Sequence, residues 1–126
     1  MTQKTVIWTV GIQCKADDEA KFNAWYDDIH VPMLLQGDHV KKVSRFRLAD
    51  HAYSVGTFTQ ACPNYLTIYE FESQEKFDAW MNSPARTEAG DDKANTWGDN
   101  GYELKWASLY NLTNAWNMPS TNKESK

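Results

Sequence analysis

His30 stands at the centre of what this sequence could do chemically. It follows Tyr26 by four residues and Asp27 by three, inside Phe22-Asn23-Ala24-Trp25-Tyr26-Asp27-Asp28-Ile29-His30-Val31-Pro32. At about 100° per helical residue, His30 lies at the edge of an apolar stripe beside Tyr26, with Asp27 one step nearer to water. An imidazole between a pocket and a carboxylate has its tautomer fixed and its basicity raised, which suits a general base near neutral pH. On that reading Tyr26 donates its hydroxyl to a substrate carbonyl or enolate, and Asp27 orients His30. A second reading has His30 capping a helix C-terminus, where a cation is favoured, and Tyr26 as a core aromatic.

Other residues could line a ligand pocket. Arg45 and Arg47 share a strand face with Val43. On the helix side they would offer guanidinium groups to a carboxylate or enolate; on the opposite side they would form salt bridges across an interface; at a strand edge they would face solvent. His51 opens an insert and could reach a pocket mouth. Trp25, Tyr69, Trp97 and Trp106 belong to an unusually aromatic set of six Trp, six Tyr and five Phe. That is more ring area than a small core readily hides, which points to an aromatic-lined cavity, a subunit interface, or both. His30, His39 and His51 have no metal-ligand spacing, and Cys14 and Cys62 form neither a zinc pattern nor a disulfide framework. No glycine-rich phosphate loop or nucleophile elbow is present. We therefore expect no cofactor and no metal.

The elements that must hold these residues are legible in the pattern. Residues 5–12 alternate Val, Trp and Ile with uncharged partners and predict a strand covered on both faces. Asp17 or Asp18 offers an N-cap to a helix carrying Phe22, Trp25, Tyr26, Ile29 and Met33, with Pro32 as a stop signal near its end. Residues 40–48 predict a second strand and 65–71 a third. Ser73 caps a second helix with Phe77, Trp80 and Met81 on its apolar face. Ser83-Pro84 breaks it, a further turn covers 85–89, and Gly90 ends that turn. Residues 102–112 predict the last strand, with Tyr102, Leu104, Trp106, Ser108 and Tyr110 on one face.

The order βαββαβ is the split βαβ arrangement: a ferredoxin-like α+β domain, with a four-stranded antiparallel sheet and two helices on one face. We expect one domain over residues 1–116, with an insert at 50–64 holding a short hairpin near 53–58, and a mobile tail at 117–126. The second sheet face also carries apolar residues, so a homodimer packed sheet against sheet is expected.

Composition removes several classes of function. The 126 residues carry 13 Lys+Arg against 17 Asp+Glu, a formal net charge of −4. A nucleic-acid surface is thus not expected. No apolar run approaches the roughly 20 residues of a membrane span. The N-terminus lacks a secretory pattern, so a cytoplasmic protein with two reduced thiols is expected.

The helix 22–32, an aromatic pair followed by His-x-Pro, resembles the first helix of EthD-like proteins in the dimeric α+β barrel superfamily. Residues 71–84, Phe-Glu-Ser-Gln-Glu-Lys-Phe-Asp-Ala-Trp-Met-Asn-Ser-Pro, are similar to that group's third strand and second helix. The resemblance implies a homodimer that holds a small apolar or aromatic ligand between sheet and helices. Its relatives include cofactor-free monooxygenases, muconolactone isomerases, polyketide cyclases and haem-binding branches. The sequence-level expectation is a cofactor-independent isomerase, cyclase or lyase moving a proton on an enolisable aromatic or polyketide-like molecule. The alternatives are a cofactor-free monooxygenase of activated phenols, a non-catalytic ligand binder, and a module docking another protein.

Overall fold

A computed structural model describes residues 4–49, 54–56, 62–98 and 101–119. Four strands, β1 (Val6–Gln13), β2 (Lys42–Arg47), β3 (Tyr65–Phe71) and β4 (Glu103–Asn111), form one antiparallel sheet in the order β2-β3-β1-β4. The uncharged β1 occupies the interior of the sheet, as its pattern predicts. Residues 53, 57 and 58 of the anticipated hairpin at 53–58 lie outside the described residues, and so do residues 120–126 of the expected tail.

One face of the sheet presents Val6, Val10 and Ile12 from β1 and Tyr65, Thr67, Tyr69 and Phe71 from β3, all buried. The helices cover this face. The first helical stretch opens with a 3₁₀ turn at Ala16–Asp18 rather than a side-chain cap: Asp18 occupies the cap position but its carboxylate caps nothing. It continues as α1 (Glu19–Trp25), a π-helical turn (Tyr26–His30) and α2 (Val31–Leu34). Pro32 does not end it. A proline inside an α-helix lacks the N–H and collides with the carbonyl four residues back. Here the preceding turn is widened, with the Val31 N–H reaching the Tyr26 carbonyl, and the chain stays helical to Leu34.

Ser73 caps α3 (Gln74–Met81) by accepting from the Lys76 N–H, and Ser83 caps α4 (Pro84–Trp97) by accepting from the Arg86 N–H. Proline in the first turn of α4 loses no hydrogen bond that the helix needs. The expectation that Gly90 ends this segment is overturned. α4 runs through it to Gly98, whose φ of +60° suits glycine. A third helix therefore packs on the face where two were expected.

A second correction concerns β4. The register with β1 shifts between Gly11 and Ile12, so that Gly11 pairs with Trp106 but Ile12 with Leu104. The extra residue reverses the alternation. Leu104 joins the helix-covered face, whereas Trp106 and Tyr110 lie on the other. A Cβ on Gly11 would sit 2.7 Å from the Trp106 ring, so glycine is what lets that indole lie against β1. This second face also carries Ile7, Leu66, Ile68 and Phe46, with Phe46, Trp106 and Tyr110 exposed at 52%, 41% and 56%. Among the described residues no helix is long and apolar enough to cross a membrane.

Candidate functional site

Between the helices and the sheet lies a cavity of about 220 Å3. That is the volume of about seven waters at ~30 Å3 each, enough for a molecule of one or two rings. Its floor is Trp8 and Val10 of β1, Tyr69 of β3 and Ala107 of β4. Its walls are Tyr26 and His30 from the π turn, Leu34 and Trp80, and one face of α4.

The π turn sets the geometry of the candidate chemical groups. π turns occur disproportionately at functional sites, because an extra residue re-aims the side chains around it. The His30 ring stacks on Trp25, with centroids 4.6 Å apart at 25°, and meets Tyr26 edge-on at 4.9 Å. Its Nδ1 is buried without a hydrogen-bond partner. Burial, and then Lys93, Arg86 and Arg45, push its pKa down from 6.5 to about 4, against an upward pull from Asp92. The imidazole is therefore neutral at neutral pH. The expected rise in basicity from Asp27 is overturned, since that carboxylate points elsewhere.

Asp27 accepts from Arg45 Nη1 at 2.6 Å, and so does not orient His30. Asn23 accepts from Arg45 Nη2 at 3.0 Å, and Glu19 accepts from Arg47 Nε at 3.2 Å and from the Tyr65 hydroxyl at 2.7 Å. Glu19, Asn23 and Asp27 recur every four residues and form a polar seam that ties this helix to β2 and β3. Arg45 and Arg47 are thus on the helix side of the sheet, but their guanidinium groups are occupied by α1 and the π turn and do not line the cavity. The Arg45 guanidinium lies 4.5 Å over the Tyr26 ring, outside the cavity wall that ring forms.

Tyr26 and Tyr69 do line it, their hydroxyls 3.1 Å apart in the buried interior. Burial raises the pKa of both phenols. Both stay protonated; one hydroxyl donates to the other, which leaves the pair one proton to donate to a ligand. Trp25 is buried behind His30, its Nε1 donating to Asp92 at 2.7 Å. Trp97 packs with Phe22, Trp25 and Tyr102. Neither ring lines the cavity, and Trp106 is on the opposite face of the sheet. His51 lies outside the described residues.

Lys93 escapes any reading of the sequence that ends the helix at Gly90, and with it the shared face that also holds Arg86. Arg86, Ala89, Gly90 and Lys93 all line the cavity. Their spacing of three, four and seven residues is one face of a helix, a signal that becomes visible once α4 is recognised. Among the described residues no cluster of His, Cys, Asp or Glu could hold a metal ion.

The sequence matches the family described as domain of unknown function DUF4286 over residues 5–100. The chain belongs to the DUF4286 family. No curated protein matches it. Solved structures share its fold. An EthD family protein from Bacillus halodurans is 13% identical with a TM-score of 0.56, covering 90% of this chain and 100% of its own. A DABB family protein with a ferredoxin-like fold from Mesorhizobium loti gives the same figures, 13% identity and 0.56 over 90% and 100%. SnoaB, a cofactor-independent oxygenase from Streptomyces nogalater, is 11% identical with a TM-score of 0.52 over 95% and 100%. These likenesses show that this DUF4286 chain has the ferredoxin-like architecture of the EthD and DABB proteins. At such identities they speak for the fold and not for the reaction.

Proposed function

We propose that the cavity takes a small, flat, enolisable aromatic or polyketide-like molecule and moves a proton on it without a cofactor. The supporting observation is the His30 imidazole, which lines the cavity together with three phenols, Tyr26, Tyr69 and Tyr102, and two cations, and whose Nδ1 is buried without a partner. A neutral imidazole accepts the proton from an activated C–H or O–H. The resulting imidazolium and enolate form an ion pair in a mostly apolar space, where their attraction is stronger than in water. Tyr26 donates its hydroxyl to the developing oxyanion. Burial first, and then the Lys93 and Arg86 charges, disfavour the imidazolium in the free protein; the anion formed in the same step offsets the second of these causes.

The assay is deuterium incorporation from heavy water into a panel of enolisable aryl ketones, followed by NMR. We expect His30→Gln to slow exchange by about 100-fold and Tyr26→Phe by about ten-fold. Undiminished exchange in both variants ends this reading.

A second reading, a cofactor-free oxygenase of activated phenols, draws support from the shared fold with SnoaB. It needs the same initial deprotonation. Oxygen uptake with anthrone-like phenols separates it from proton transfer alone. A non-catalytic binder would show neither, but would carry a small molecule through purification, visible by native mass spectrometry.

We further propose that a second copy of the chain covers the open sheet face. Ile7, Leu66, Ile68, Phe46, Trp106 and Tyr110 make that face too apolar to leave wet, and two-fold dimers are the commonest way to bury such a surface. Light scattering is expected to give a dimer for the native chain and a monomer for Trp106→Glu. A native chain that is monomeric at tens of micromolar removes the proposal.

A further inference from the structure

We infer that the cavity selects an aromatic acid in its anionic form, with the carboxylate taken by Arg86 and the ring laid over Ala89 and Gly90. This rests on the proposal that the cavity is a ligand site, and names the charge its ligand carries.

The argument begins with the face of α4. Arg86 and Lys93 are two turns apart, about 10 Å along the axis. Between them on the same face are Ala89, a single methyl, and Gly90, where a Cβ would meet nothing within 4 Å. Two cations thus flank a stretch of wall with almost no side-chain bulk, and the space over Gly90 is open. The cavity is also lined by the rings of Trp8, Tyr26, Tyr69 and Trp80. A flat ring fits such a slot, and an acidic group at its edge meets a cation.

Charge supports the same conclusion. The chain as a whole has more acids than bases, yet the residues lining the cavity include Arg86 and Lys93 and no Asp or Glu. Asp92, adjacent to Lys93, is turned away to accept from Trp25. Neither Arg86 nor Lys93 forms a salt bridge among the described residues, in contrast to Arg45 and Arg47. Half-buried Arg86 lies 4.6 Å over the Trp80 ring and donates Nη1 to the Met81 sulfur at 2.9 Å. A thioether is a weak acceptor, so the guanidinium is held in place by stacking with most of its donors uncommitted. A planar fork fixed in this way matches a carboxylate bidentately, which a mobile ammonium does not. Exposed Lys93, 5.1 Å from the Tyr102 ring, adds positive potential from the far end of the slot.

The test uses 2-naphthoate and its neutral isostere 2-naphthamide, titrated against the full chain and read through tryptophan fluorescence, since Trp8 and Trp80 line the cavity. The native protein is expected to bind the acid at least about ten-fold more tightly than the amide. Arg86→Gln is expected to abolish that preference while leaving amide affinity within about two-fold. Lys93→Gln, an exposed change that does not threaten the fold, is expected to reduce the preference by about three-fold, most visibly at low salt. Amide binding equal to or tighter than acid binding in the native protein overturns the inference and leaves the cavity as a ligand site. Equal weakening of both ligands by Arg86→Gln also overturns it, because it assigns Arg86 to the architecture alone. If neither ligand quenches the native protein, the inference falls together with the proposal of a ligand site.

Discussion

Trp80→Ala is expected to destabilise the fold by about 3–5 kcal/mol, the range for removing a fully buried indole from a core. Trp80 is 1% exposed. Its ring packs on Phe71 at 5.0 Å and Tyr69 at 5.3 Å, so truncation removes the contacts that tie α3 to β3. Its Nε1 donates to the Leu34 carbonyl at 3.0 Å. Without the indole that buried acceptor, at the end of α2, loses its partner, at a further cost of about 1–3 kcal/mol if nothing relaxes to meet it. The space left behind joins the neighbouring cavity. Urea denaturation at fixed protein concentration measures the loss, with Trp116→Ala as the control. Trp116 is 82% exposed, and its removal is expected to change stability by less than about 0.5 kcal/mol. A loss below about 1 kcal/mol for Trp80→Ala would show that this indole does not join the helices to the sheet as described.

Acidification is expected to weaken the protein through His30. In the folded state its pKa falls from 6.5 to about 4, because burial and the facing charges of Lys93, Arg86 and Arg45 outweigh Asp92. Between those two values the unfolded chain binds the proton and the native chain does not. Stability therefore rises with pH across the window, and is lost as pH drops from about 6.5 towards 4. At about 1.4 kcal/mol per factor of ten, the full loss is about 3 kcal/mol, reduced to the extent that water reaches the ring. His30→Gln removes the titrating group and should flatten the profile there. Glu19 acts elsewhere: Arg47 and Tyr65 hold its carboxyl below 4.5, so its contribution is lost only at lower pH. Equal slopes for the native protein and His30→Gln between pH 6.5 and 4 would remove His30 as the cause.

The strands were legible because β-branched and aromatic residues alternate cleanly, and because the absence of charge on both faces of residues 5–12 is a direct statement of central position. The Ser73 cap was legible for a similar local reason. What escaped the pattern depends on neighbours. Helix propensity disfavours Gly90 by only about 1 kcal/mol, which the cap at Ser83 and the burial of Ala85, Ala89 and Trp97 offset, so α4 continues and brings Lys93 to the cavity. The bulge opposite Gly11 is a property of two paired strands, and alternation along β4 alone cannot reveal that Leu104 and Trp106 part company. Asp27 sits within reach of His30 in helical projection, but Arg45 comes from a strand eighteen residues away. A line of sequence shows the near neighbour and hides the stronger one. Within the candidate site, His30, Tyr26 and Tyr69 could be named from the sequence, whereas Trp25, Trp97 and Trp106, named with them, do not line the cavity, and the cationic wall was not legible.

The widened turn around His30 has a consequence for how a guest would be received. The ring is aimed by backbone shape and by face-to-face contact with Trp25, and a prolyl residue two positions on opposes any return to regular winding. No internal hydrogen bond holds its Nδ1. The ring's orientation therefore rests on stacking and backbone shape alone, and a guest that meets its exposed edge finds it already aimed.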